Sequence, residues 1–191
     1  MKNLIVYSHP NPASLNHAIK ETFVEELKSK GHEVVERDLN AMKFNPILSA
    51  EDFAGIYSGN VPADIKKEQE YITWADVITF VYPVWWTGMP AILKGYIDRT
   101  FLYGFAYAID ENGMVKLLTG KKALAFSTHG QPKEAYDGEY YNALGTTFDK
   151  GILGFTGIEV INHTYFPSAM QANEETVKGY LNTVKEIASK L

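Results

Sequence analysis

The chain has 191 residues, enough for one domain to bury about 70% of its unfolded surface without disulfides or metals. It contains no cysteine, which excludes a disulfide framework, thiolate metal ligands and a cysteine nucleophile, so that any redox chemistry belongs to a bound cofactor. Its 18 basic and 23 acidic residues are mixed along the chain and give a net charge of -5, which excludes the concentrated positive field that nucleic-acid binding requires.

The first residues run directly into an apolar, strand-like segment, and this start is too short for a signal peptide. No apolar run approaches the roughly 20 residues of a membrane span. We therefore expect a cytoplasmic protein without a membrane span.

Five short apolar runs of ordinary strand length alternate with longer stretches of helical periodicity. The predicted strands cover residues 4–8, 33–38, 77–82, 123–127 and 158–162. The clearest helix repeats apolar residues at i, i+3 and i+4 between residues 18 and 27, with Ser14 as its N-cap and Gly31 at its end. Further helices are predicted over residues 63–74, 90–101, 141–151 and 174–190, and a small hairpin over residues 105–110 and 114–118.

This alternation predicts one α/β domain over residues 1–191, with helices on both faces of a five-stranded parallel sheet. The periodicity fits the strand orders 3-2-1-4-5 and 2-1-3-4-5 equally. Dinucleotide binding needs G-x-G-x-x-G after the first strand, whereas residues 8–16 form a polar loop without glycine. The loop therefore favours the doubly wound order 2-1-3-4-5 and suits one terminal phosphate at the start of the first helix.

In such a sheet, ligands bind beyond the carboxyl ends of the strands, so the loops after strands one, three and four should meet. The second of these loops places two adjacent tryptophans, Trp85 and Trp86, between Pro83 and Pro90. Both indoles cannot point into the same core, so at least one should face a planar ligand. Packing of both rings on the following helix is an equal alternative from the loop alone.

Three histidines lie near these predicted strand ends. His9 belongs to the phosphate loop, which favours binding over a purely local hydrogen bond. His129, in the third loop, either donates to the ligand or only solvates the loop, and His163 is left undecided. The motifs H-E-x-x-H, G-x-S-x-G and G-x-x-x-x-G-K-[ST] are absent, which disfavours zinc proteases, serine hydrolases and nucleoside triphosphatases. No metal site is predicted.

The same segments resemble the NAD(P)H:quinone oxidoreductases of the flavodoxin-like superfamily. The most specific match is P-x-x-W-x-x-x-P-A-x-L-K over residues 83–94. Further matches lie at residues 4–6, 14–16, 31–36, 38–39, 41–42, 44–46, 105–107 and 151–153, and at His9, Gly95, Arg99 and Gly157. The likeness covers nearly the whole chain and implies a flavodoxin-like fold.

Position by position, the resemblance implies a flavin site built from the three loops. The flavin phosphate and ribityl chain would be held by His9, Ser14, Leu15 and Asn16. The isoalloxazine ring would be lined by Pro83, Val84, Trp85, Trp86 and Thr87, and its pyrimidine edge by Ser127, Thr128, His129 and Gly130. Tyr136 and His129 would be the catalytic residues. FMN is implied over FAD, because the mammalian members carry a longer C-terminal extension.

The chain departs from the family pattern where a proton would be handled. His129 stands where the family usually has the first of two glycines, and Thr87 stands where the mammalian proteins have an aromatic residue. The histidine that partners the family's active-site tyrosine has no counterpart, since Tyr140, Tyr141 and Asn142 occupy that region. The resemblance therefore implies flavin binding but leaves the proton relay open.

The implied reaction is a ping-pong exchange, in which NAD(P)H gives hydride to flavin N5 and leaves before a quinone or other small aromatic acceptor takes two electrons. The likeness also implies a homodimer in which each site is closed by the other chain. Two alternatives stay open at this point: a one-electron carrier of the flavodoxin type, and a regulatory flavoprotein subunit of a potassium efflux system. The NADH or NADPH preference is not predicted.

Overall fold

The computed structural model describes residues 1–136 and 138–191. Its strands are β1 (Lys2–Tyr7), β2 (Glu33–Asp38), β3 (Val77–Pro83), β4 (Tyr107–Asp110), β5 (Gly113–Lys116), β6 (Lys122–Thr128) and β7 (Glu159–Phe166). Its α-helices are α1 (Leu15–Ser29), α2 (Ala50–Ser58), α3 (Ala63–Trp74), α4 (Ala91–Thr100), α5 (Glu139–Leu144) and α6 (Glu174–Ala188). A short 3-10 helix covers Lys133–Ala135, and a π-helix covers Gly145–Gly154.

Five strands form one parallel sheet in the order β2-β1-β3-β6-β7. Counted among the parallel strands alone this is 2-1-3-4-5, so the predicted order is confirmed. Strands β4 and β5 pair separately as an antiparallel hairpin. The central strand β3 is buried along its whole length, as expected for a parallel strand covered on both faces.

Each face of the sheet carries its own apolar core. On one face, α1 and α6 pack through residues such as Phe23, Leu27 and Val184. On the other face, α3, α4 and the π-helix pack through Ile72, Tyr96 and Phe148, among others. None of the helices in the described part of the chain is long and apolar enough to cross a membrane.

The largest differences between the predicted and the observed elements are in three places, and most other bounds are displaced by one or two residues. Helix α2 was not expected from the periodicity, although Ser49 and Asp52 form a capping box at its start. The helix predicted over residues 141–151 is instead α5 followed by a π-helix. The last strand begins at Glu159 and continues to Phe166, four residues beyond the predicted end. By contrast, β2 and α3 have the predicted bounds, and Ser14 caps α1 by accepting a hydrogen bond from the His17 N–H.

A buried ion pair fixes helix α4, which begins just after the tryptophan loop. The Arg99 guanidinium donates to both carboxylate oxygens of Asp52, with Nε–Oδ2 at 3.0 Å and Nη2–Oδ1 at 2.8 Å. It also donates to the carbonyl of Asn45 at 3.0 Å. Hydrogen bonding from Arg99 holds the pKa of Asp52 below its ordinary value of 3.8. The pair therefore ties α2 and the segment before it to α4.

We expect Asp52→Asn to lower the free energy of unfolding by about 3 kcal/mol, because it removes the buried carboxylate that pairs with Arg99 and leaves the guanidinium only the exposed carboxylate of Asp64, at 3.0 Å. Chemical denaturation at pH 7 measures this loss. The matched control is Asp98→Asn, which breaks an exposed pair with Lys94 and should cost less than about 1 kcal/mol.

The pH dependence has a defined sign, because the pKa of Asp52 is lowered in the folded protein. The stabilisation is complete above the unfolded value of 3.8 and is lost as the pH falls through the lower folded value. The difference in stability between wild type and Asp52→Asn should therefore shrink only below about pH 4. Equal destabilisation by the two Asn variants at pH 7 would contradict the assignment.

Candidate functional site

Four loops converge at the carboxyl edge of the sheet and enclose a cavity of about 500 Å³. They follow β1, β3, β6 and β7. The volume lies in the range of small-molecule sites, and the position is the one where open α/β sheets bind ligands. The lining residues are His9, Asn11, Ala13, Ser14, Leu15, Asn16, Pro83, Val84, Trp85, Thr128, His129, Gly130, Ala169 and Met170.

The first wall is the loop that leads into α1. The side chain of Ser14 caps this helix, and the N–H groups of its first turn have no intrahelical acceptor, which makes the helix start a site for an anion. His9 is held by a hydrogen bond from the Asn11 N–H to its Nδ1 at 3.0 Å. Burial lowers the pKa of His9, partly offset by its contact with the backbone of Asn11. The imidazole is therefore neutral at pH 7.

The second wall is a tight turn after β3. Trp85 and Gly88 exchange two backbone hydrogen bonds, of 2.9 and 3.1 Å, around Trp86 and Thr87, whose φ angles are 51° and 55°. Two consecutive positive φ angles define a turn that normally selects Asn-Gly, so both residues are strained, at about 1–3 kcal/mol each. Because Trp85 and Gly88 hydrogen-bond to each other, the N–H groups of Trp86 and Thr87 have no acceptor within the turn.

The two indoles behave differently. Trp85 lines the cavity beside His9, with ring centroids 6.1 Å apart, whereas Trp86 is completely exposed, at 102%. The expectation that both rings cannot enter one core is met, since neither is buried. Trp85 is the indole that faces the cavity.

The third wall is fixed to the first by a buried hydrogen bond. Asn16 Nδ2 donates to Thr128 Oγ1 at 2.7 Å. The other amide atom, Asn16 Oδ1, is buried and has no hydrogen-bond partner among the described residues. A buried acceptor left unpaired costs free energy, so this atom marks a point where a ligand donor would be satisfied.

His129 belongs to the same wall and is buried, with 2% of its surface exposed. Its Nε2 lies 2.8 Å from the Tyr141 hydroxyl, and its ring stacks on Tyr136 with centroids 4.2 Å apart. Burial lowers its pKa, partly offset by the backbone of Gln131. The ring and the Tyr141 hydroxyl therefore share one hydrogen bond at Nε2, and the tautomer of His129 decides which of the two donates.

Ten of the thirteen residues predicted to hold the cofactor line this one cavity. Trp86 and Thr87 lie on the exposed turn. Ser127 points into the core on the face of the sheet away from α1, where its Oγ contacts His163. Tyr136 stacks on His129 and is not among the lining residues. Four lining residues were not predicted from the sequence: Asn11, Ala13, Ala169 and Met170. The last two follow β7, whose place beside β6 in the predicted order already brings its carboxyl end to this edge.

The lining has little formal charge. Among the lining residues that the structure describes there is no lysine, arginine or carboxylate. No group of His, Asp and Glu side chains in residues 1–136 and 138–191 is arranged to hold a metal ion. The arrangement suits a planar heterocycle beside Trp85 and an anionic end at the start of α1.

Several proteins similar to this chain are named as oxidoreductases or dehydrogenases. An NAD(P)H oxidoreductase of Haemophilus influenzae is 39% identical over 87% of this chain and 83% of its own length. The human ribosyldihydronicotinamide dehydrogenase [quinone] is 33% identical over 93% of this chain and 86% of its own. The solved structure of an NAD(P)H:quinone oxidoreductase from Methanothermobacter marburgensis superposes with a TM-score of 0.87 at 26% identity, covering 98% of this chain and 97% of that one.

The family described as having the flavodoxin-like fold matches residues 1–188. This match spans all five parallel strands and every loop of the cavity. The chain therefore belongs to the family of proteins with the flavodoxin-like fold.

Proposed function

We propose that this protein is a flavin-dependent NAD(P)H:quinone oxidoreductase. The observation that carries the proposal is one cavity in which a helix start with unused N–H groups, an aromatic turn with unused N–H groups and a buried amide oxygen lie together. The two curated relatives act with nicotinamide compounds according to their names, and one of them is named for a quinone.

The residues present fit a flavin with one phosphate. The start of α1, with Ser14 and the N–H groups of Leu15 and Asn16, would hold the phosphate. Asn16 Oδ1 would accept a hydrogen bond from the ribityl chain. Trp85 and the turn of Trp86 and Thr87 would line the ring, and Thr128, His129 and Gly130 would border its pyrimidine edge.

A flavin bound there would supply two-electron hydride transfer between NAD(P)H and a quinone. The protein has to supply one more proton, because hydroquinone formation adds one hydride and one proton to the quinone. We assign this task to His129 and Tyr136, the latter stacked on the imidazole. A neutral imidazole takes up or gives a proton near pH 7 without holding a buried charge at rest.

FMN is the flavin that we propose. The chain offers one helix start as a phosphate site, and its first loop lacks the glycine turn that brings backbone close to a pyrophosphate. No cationic side chain among the described lining residues would neutralise a second phosphate. Heat release of the chromophore and its mass identify the flavin directly.

The activity is tested with purified, flavin-loaded protein. NADPH or NADH alone should bleach the yellow absorption, and a benzoquinone should restore it. Initial rates at several concentrations of both substrates should give parallel double-reciprocal lines, because donor and acceptor use one space in turn. A protein that stays colourless after incubation with FMN and FAD would overturn the proposal, and intersecting lines would overturn the shared space.

The placement of the flavin is tested with Asn16→Ala. This variant removes both the link to Thr128 and the unpaired acceptor, so the dissociation constant for FMN should rise by about tenfold, which corresponds to about 1.4 kcal/mol. Quenching of FMN fluorescence by the apoprotein measures it. The matched control is Asn182→Ala, an exposed asparagine on α6, which should leave the constant unchanged. Equal constants for both variants would place the ligand elsewhere.

We also propose that a second copy of the chain covers an apolar surface beside the β4-β5 hairpin. This surface includes Phe53, Tyr103 and Ile109, which are 50%, 44% and 64% exposed, and it surrounds a groove of about 490 Å³. Apolar patches of this kind mark interaction sites. Sedimentation should show a dimer for the wild type and a monomer for Ile109→Glu. A monomeric wild type would contradict this proposal.

A further inference from the structure

A second group of polar side chains lies on the opposite face of β6 from the α1 contact. Ser127 Oγ is 2.7 Å from His163 Nε2, and His163 Nδ1 is 2.8 Å from Asp149 Oδ1. Ser127 is fully buried, and the side chain of His163 is only 5% exposed. Polar groups that are buried in this way require hydrogen-bond partners, and Ser127, His163 and Asp149 each have one.

The arrangement has the atom order of a serine hydrolase triad, but it does not have the access. Acyl transfer requires the serine oxygen to reach a substrate carbonyl, and Ser127 has no exposed surface. Ser127, His163 and Asp149 therefore form a hydrogen-bonded network inside the protein, in which Ser127 is not a nucleophile.

The π-helix supplies the carboxylate. Widened turns of this kind are often found at functional sites. A side chain on Gly145 would place its Cβ 3.3 Å from Asp149 Oδ2, so the glycine leaves room for the carboxylate. The helix thus turns Asp149 toward the imidazole on β7.

Stacked rings connect this group to the cavity wall. The His163 ring stacks on Tyr165 with centroids 4.1 Å apart, and the Tyr165 hydroxyl is 3.2 Å from His163 Nδ1. Tyr165 in turn packs on Tyr141 at 4.5 Å. Tyr141 carries the hydroxyl that meets His129 Nε2 at 2.8 Å. These contacts are continuous from Asp149 to the His129 imidazole in the cavity wall.

The groups around His163 are accounted for on every side. Besides Asp149, Ser127 and Tyr165, the Tyr82 hydroxyl of β3 lies 3.5 Å from Nε2. Burial raises the pKa of Tyr82, and burial together with the charge of Asp149 raises that of Tyr165. Both phenols therefore keep their protons, which leaves Asp149 as the carboxylate that accepts the Nδ1–H proton of His163.

We propose that Asp149 and His163 are positioning residues for quinone reduction, acting through Tyr165 and Tyr141 on the hydrogen bond to His129. This inference rests on the proposed function. The proton added to the quinone is drawn from the His129 and Tyr136 pair and is replaced from water, so no net charge remains on the protein, while the hydrogen bond with Tyr141 holds the imidazole in position. Asp149 fixes the tautomer of His163, which fixes the ring against which Tyr165 and Tyr141 pack.

The experiment separates the two half-reactions of the flavin-loaded protein by stopped flow. Bleaching by NADPH requires only hydride, whereas return of the colour with a benzoquinone also requires the proton. In Asp149→Asn we expect the bleaching rate to stay within twofold of wild type, while the quinone step slows about tenfold and its pH profile shifts. Tyr165→Phe, which keeps the ring and removes the hydroxyl, should show a smaller effect of the same kind. The control is Glu25→Gln, an exposed carboxylate on α1, which should change neither step.

A spectroscopic reading does not depend on the flavin. In the apoprotein, proton NMR should show a strongly downfield imidazole N–H signal from the His163 and Asp149 pair. The signal should lose its strong downfield shift in Asp149→Asn and keep it in Ser127→Ala, because only the former replaces the charged carboxylate at Nδ1 with a neutral amide.

The outcomes distinguish a failure of the positioning role from a failure of the proposed function. Equal slowing of both half-reactions in Asp149→Asn, or of neither, would overturn the positioning role, while the wild-type activity would still stand. Labelling of Ser127 by a fluorophosphonate would also overturn it, by showing a reachable nucleophile. A wild-type protein that NAD(P)H does not bleach would overturn the proposed function and the positioning role together.

Discussion

Main-chain hydrogen bonds that continue past the ends of the parallel strands hold the loops of the site in register. Ser8 N–H donates to the Val81 carbonyl at 3.0 Å, Val84 N–H to Thr128 at 2.7 Å, and His129 N–H to Phe166 at 3.0 Å. Buried backbone groups must be paired, so each loop leaves its strand from a point that its neighbour fixes. These backbone hydrogen bonds therefore fix the positions of the cavity walls, and the lining side chains project from that fixed backbone.

The parts of the site that follow from strand periodicity could be predicted, because an apolar run ends where its loop begins. The runs through Tyr7, Tyr82 and Ser127 located the three loops, and ten predicted residues line the cavity. The π-helix could not be predicted in this way, since a widened turn around Asp149 adds a residue that a 3.6-residue period does not register. Helix α2 had a readable start in Ser49 and Asp52, but it is only nine residues long and carries Gly55 in its interior, which weakens a helical pattern.

The turn of Trp86 and Thr87 shows why local propensity fails at this site. Left-handed backbone favours glycine or asparagine, and a β-branched threonine is among the residues least suited to it. The conformation persists because both neighbours are fixed: Val84 is bonded to β6, and α4 is held by the buried Arg99 and Asp52 pair. The strained turn after β3 is thus held by the Val84 hydrogen bond on one side and by the buried Arg99 and Asp52 pair on the other.

The absence of cationic side chains from the described cavity lining has a chemical consequence. A helix start and backbone N–H groups stabilise an anion through dipoles that do not titrate, so binding of the anionic end does not depend on a protonated lysine or arginine. The titratable groups at the walls are His9 and His129, and burial lowers the pKa of both. In the proposed function, a neutral imidazole hydrogen-bonded to Tyr141 would pass a proton without first exposing a charge to the flavin ring. Charge stabilisation and proton handling would then be carried by different elements, the first by α1 and the turn after β3, the second by the aromatic rings around His129.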